Sequence, residues 1–175
     1  MRVQTTDAAS ATYAEAITIT VVDDVAPTVA SVAVPTNAWY VEGQNLDFTV
    51  NFSESVTVDT TGGTPRMALT VDTTTVYATY LSGSGTSALV FRYTVQANDL
   101  DANGIAVGTL ALNGGTLADA TGNNAVLTLN SVGSTTAVLV DAVNPSASST
   151  PDLALASDSG TSGTDNITSD TTPTI

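Results

Sequence analysis

Along most of the chain apolar and polar residues alternate one by one, the spacing that lets a strand bury one face and wet the other. The clearest case is "LDFTVNF" (46–52), where Leu46, Phe48, Val50 and Phe52 point one way and Asp47, Thr49 and Asn51 the other. Comparable patterns predict strands over 16–22, 28–34, 66–71, 75–81, 88–95, 124–130 and 135–141. Between them lie "TTGGTP", "SGSGTS", "NGGT" and "ATGNN", in which Gly and Asn supply positive φ at little cost. No stretch of helix length carries a 3.6-residue period. Many short strands joined by Gly-rich turns predict an all-β chain, built as an antiparallel β-sandwich in which each sheet gives the other a face to bury.

An internal echo divides the chain. "VVDDVAP" (21–27) matches "LVDAVNP" (139–145) at a constant offset of 118, pairing Val22 with Val140, Asp23 with Asp141 and Pro27 with Pro145. Each copy ends an alternating apolar run with an acid and then reaches a Pro that cannot continue a ladder. The two are expected to be successive interdomain linkers. A complete domain then occupies 27–143, a length that suits an immunoglobulin-like sandwich. Residues 1–26 are expected to be the closing strand of a preceding module plus its linker, and 144–175 a linker and the truncated start of a following one.

Charge narrows the partners. The 175 residues hold 17 Asp and Glu against three cations, Arg2, Arg66 and Arg92, for a net charge of −14. Such a chain has nothing with which to neutralise phosphates, so nucleic acid and anionic lipid surfaces are not expected partners. Fourteen of the acids are Asp and three are Glu (Glu15, Glu42, Glu54), a bias toward the short carboxylate of turns and oxygen-ligand metal loops. Divalent cations are the natural counter-partner. Cys, His and Lys are all absent, which removes disulfide staples, the usual general base and the usual nucleophiles, and no enzyme activity is expected. No segment approaches the roughly 20 apolar residues of a membrane-spanning helix.

"LDFTVNFSESVTVD", "DATGNNAVLTL", "VLVDAVNP" and "SDSGTSGTDNITSDTTPTI" resemble the tandem immunoglobulin-like and cadherin-like repeats of large repetitive bacterial surface adhesins of the RTX type. "YAEAITITVVDD" looks like the closing strand of a cadherin-like repeat. The resemblance implies an extracellular location, secreted or on the cell surface, neighbouring repeats of the same chain as partners, and a role as extender, with calcium at domain junctions.

Two acidic constellations are candidate calcium ligands. "NDLDANGI" (98–105) places Asp99, Asp101 and Asn103 on alternate positions before Gly104, the opening of a calcium loop. An EF-hand is excluded because Leu110 stands where its bidentate Glu belongs. Either a distant acid closes the loop, with Asp119, Glu54 or Asp47 available, or the acids simply bond their own backbone. The second constellation is the linkers: Asp23 and Asp24 before Pro27, and Asp141 before Pro145. Linker acids could share a cation with loop acids such as Glu42 or Glu54, an arrangement that the resemblance suggests. "DATGNN" (119–124) is expected to be a tight turn, with Gly122 and Asn123 suited to positive φ. Trp39 and Tyr40 are expected to pack over one end of the domain, the alternative being a stacking platform for a carbohydrate or a contact for a protein.

Overall fold

The structure is a computed structural model that describes residues 2–6, 12–16, 20–145 and 171–172. The chain divides into two compact units, Met1–Val143 and Asn144–Ile175. Nearly all of the described residues belong to the first.

Twelve strands and no helix form among the described residues. In chain order they are β1 (Arg2–Thr6), β2 (Thr12–Ala16), β3 (Val29–Ala33), β4 (Ala38–Tyr40), β5 (Asn45–Asp59), β6 (Arg66–Val71), β7 (Thr74–Ser82), β8 (Thr86–Thr94), β9 (Leu100–Asp101), β10 (Ala106–Ala111), β11 (Thr116–Ala118) and β12 (Val138–Asp141). β1 and β2 pair as an antiparallel hairpin. A seven-stranded sheet runs β10-β6-β7-β8-β5-β11, with β3 also bonded to β5. A three-stranded sheet runs β4-β12-β9, its β4–β12 pair parallel. The fold is all-β, as the alternation predicts.

β5 organises the domain. Its even-numbered positions Leu46, Phe48, Val50, Phe52 and Val56 are buried, while the odd ones are exposed or half-exposed. Phe48 faces Phe91 of β8 across the ladder, and Leu46 faces Tyr93. Met67 and Leu69 of β6 and Val138 and Val140 of β12 complete the same core, so the inner rows of both sheets meet there. On the outer face Arg92 forks onto Asp47 across the same ladder, with hydrogen bonds of 2.7 and 2.6 Å. Beside it Arg66 lies over the Tyr77 ring, 3.8 Å from its centre.

Several expected strands shift. β6 coincides with its expected limits, whereas β5 runs on to Asp59 through a break in its register with β8 between Asn51 and Val56. The stretch 124–130 keeps its alternation, with Ala125, Leu127 and Leu129 half-buried, yet makes only isolated bridges, because alternation reports which side chains face inward and not whether a ladder forms. Of the expected strand 16–22, residues 20–22 have no regular structure and are exposed, and 17–19 lie outside the described residues. The acidic stretch 158–170 also lies outside them.

Phe48→Ala is expected to remove about 3–5 kcal/mol of stability. Chemical denaturation would show it as a lower midpoint at unchanged slope.

Candidate metal centre

Three acids converge where the segment entering β3 crosses the end of β5. Asp23, Glu54 and Asp119 each offer one carboxylate oxygen such that all three lie within 4.8 Å of one another. They form the one such group of three acids among the described residues. Asp23 is exposed, Glu54 half-buried and Asp119 buried.

Local structure explains how three remote residues meet. β5 takes five steps from Asn51 to Val56 while β8 takes two from Ala88 to Thr86, so residues between them bulge from the ladder. Glu54 sits in that bulge, on the same parity as the buried row of β5. Ser53 anchors the incoming chain beside it: its amide donates to the Thr28 carbonyl at 2.8 Å and its hydroxyl accepts from the Thr28 amide at 3.0 Å. β11 pairs with the last residues of β5, Ala118 opposite Thr57, which delivers Asp119 to the same spot. The turn after it closes through Gly122, whose φ of +95° is the left-handed conformation that glycine adopts freely. Asn123 does not share that conformation, contrary to the expectation from its residue type.

The turn spends its donors on Asp119. One carboxylate oxygen accepts from the amides of Thr121 and Asn123, both at 2.8 Å, and from the Thr121 hydroxyl at 3.0 Å; the other accepts the Asn123 side-chain amide at 2.7 Å. Burial alone would raise the Asp119 pKa, but these donors from Asn123 and Thr121 outweigh it and hold the group at about 2. Glu54 moves the other way, raised by burial and then by the charges of Asp23 and Asp119. With no cationic residue in the cluster, an oxygen-only site of this kind could hold a metal ion.

The other candidates have different surroundings. Asp99 accepts the Tyr93 hydroxyl at 2.6 Å and the Gln96 amide at 2.8 Å. Burial and this bond to Asp99 push the Tyr93 hydroxyl well above the usual tyrosine range. Asp101 is buried and accepts the amides of Asn103, Gly104 and Asp72. Gly104 has φ +99° and its α-carbon faces the Thr135 carbonyl, where a Cβ would stand 2.6 Å from that oxygen. "NDLDANGI" is therefore a turn whose two carboxylates hold backbone amides, and neither belongs to a group of three acids; Asn103 is exposed at its edge. Asp47 serves Arg92. Asp24 and Glu42 are exposed and stand outside the triad, as does Asp141. Asp23 and Asp141 do make the same local bond, each accepting the amide two residues on, at Val25 (3.0 Å) and Val143 (3.2 Å). Trp39, expected to pack over the domain end, is instead 54% exposed, while Tyr40 is half-buried and bonds the Thr36 carbonyl at 2.9 Å.

Among the described residues no helix is long and apolar enough to cross a membrane. Comparison with family models, curated proteins and solved structures finds no match for this chain.

The two shifted acids of the triad have opposite linkage. A lowered folded pKa means that Asp119 adds stability above about 3.8 and loses it as pH falls toward about 2, so Asp119→Asn flattens that acid limb in pH-dependent melting. A raised folded pKa means that Glu54 costs stability as pH rises through its titration, so Glu54→Gln is expected to melt higher than the parent at neutral pH without metal. Asp101→Ala leaves three amides without their acceptor and is expected to cost about 1–3 kcal/mol by denaturant titration, the same with or without divalent cations.

Proposed function

We propose that this chain is an extender module of a secreted or cell-surface bacterial adhesin, an immunoglobulin-like repeat stiffened by calcium. The observation that carries the reading is the meeting of a linker acid, Asp23, with two acids of the domain, Glu54 and Asp119. Without an ion these carboxylates repel, and the charges of Asp23 and Asp119 add to burial in raising the pKa of Glu54. A shared cation turns it into attraction toward one point and ties the linker to the bulge of β5 and to the 119–123 turn. Calcium is the ion of choice because the site offers oxygen alone, neither His nor Cys exists in the chain, and an ion that accepts irregular geometry and water suits a half-open cluster. The partners of such a module are the neighbouring repeats on either side.

A second reading rests on Trp39. Its side chain is exposed on the small sheet opposite Leu139, with the exposed Leu100 on the same sheet and the exposed Val41 just past the end of β4. A flat aromatic face with apolar neighbours suits stacking against a carbohydrate ring or a protein surface.

Calorimetric titration with calcium is expected to show binding, and melting in calcium against chelator a rise that Glu54→Gln abolishes. Absence of both heat and shift would leave a spacer without metal. On a glycan array, specific binding that disappears with Trp39→Ala would favour recognition, and silence would favour the extender alone.

A further inference from the structure

The side-chain amide of Asn123 lies among more oxygens than it has hydrogens. Its nitrogen stands 2.7 Å from an Asp119 carboxylate oxygen, 3.0 Å from the Asp23 carbonyl, 3.0 Å from the Thr121 hydroxyl and 3.5 Å from the Val25 carbonyl. An amide group carries two hydrogens, so it cannot serve four acceptors at full strength at once. A nitrogen placed amid four oxygens, one of them anionic, occupies the kind of position that a small cation takes. The Thr121 hydroxyl reinforces the same contact, lying 3.1 Å from the Asp23 carbonyl.

We infer that Asn123 is a built-in surrogate for the cation: in the ion-free protein its amide latches the linker to the 119–123 turn. The backbone carbonyls of Asp23 and Val25 are then further ligands, which an arriving ion takes over from the amide. The ion half of this inference rests on the calcium reading above; the latch half does not, since it stands on hydrogen bonds formed without metal. The latch bridges positions 100 apart in sequence. It holds an exposed stretch, residues 20–25, that makes no ladder bond of its own. Coulomb repulsion among the triad would otherwise drive that stretch away, and the amide opposes it with the positive end of its N–H dipoles.

The test is backbone 15N relaxation and amide exchange on the full chain, for the parent, Asn123→Ala and the isosteric Asn123→Asp, in chelator and in calcium. In chelator the parent is expected to keep residues 23–25 ordered, with order parameters near about 0.85, and both variants to fall below about 0.6 there while β5 and β8 stay unchanged. Exchange at the Val25 amide should quicken on the order of tenfold in the variants. Calcium should restore order in Asn123→Asp, whose carboxylate supplies the ion with an oxygen in place of the lost donor. Thr121→Val, which removes the hydroxyl's contacts with the Asp23 carbonyl, Asp119 and Asn123 but keeps the Asn123 amide, should give a smaller loss and keeps the test open if the Asn123 variants disturb the turn. A parent linker already mobile in chelator, or one that stays ordered in Asn123→Ala, overturns the latch. Failure of calcium to bind the parent or to restore order overturns the ion half and leaves the latch standing.

Discussion

The domain depends on one strand keeping one row of side chains out of water. Leu46, Phe48, Val50, Phe52 and Val56 follow each other along β5 in strict phase, and three strands are registered directly against it. β8 pairs along one edge, while β3 and then β11 pair along the other. Shifting β5 by one residue would turn the whole row outward, so the register cannot slip without losing the core. Glu54 shares that phase. An acid can stand on the core row only because the ladder to β8 opens there, and the opening is what exposes its carboxylate to the linker and to Asp119.

Charge is managed locally. Against a net charge of −14, the described residues contain a single ion pair, Arg92 with Asp47. Several other carboxylates are held by nearby amides and hydroxyls: Asp59 by Thr61, Asp99 by Gln96 and Tyr93, Asp101 by three amides, Asp119 by Thr121 and Asn123. Short Asp side chains make this economical, since each reaches backbone amides two to four residues away. Asp23 does the same with Val25, but its other surroundings are two more acids, and there local donors do not balance the charge.

Much of the fold was legible because alternation was legible. β6 was placed to the residue, since Met67, Leu69 and Val71 are all buried in phase. β10 was missed because Gly108 and a bulge between Val107 and Leu110 break the phase that would have revealed it. The acids were harder. The spacing of Asp99, Asp101 and Asn103 is the same whether carboxylates ligate an ion or hold amides, and in the structure Asp101 accepts the amides of Asn103, Gly104 and Asp72. Glu54 carried a signal, an acid in step with a buried row. Asp119 joined Asp23 through the register of β11 on β5, a long-range pairing that no local pattern encodes. Asn123 showed nothing beyond a turn residue, because its importance lies in how many oxygens gather around one nitrogen.

The parallel pairing of β4 with β12 also sets how the domain meets force. The chain enters this pair at Ala38 and leaves it at Asp141, and the two strands run the same way. Tension applied at Ala38 and at Asp141 pulls the strands in opposite directions along their lengths, loading the hydrogen bonds between them together in shear. An antiparallel hairpin pulled from its open end would instead unzip one bond at a time. Resistance to such a load comes from geometry, because the bonds of the parallel pair must fail together.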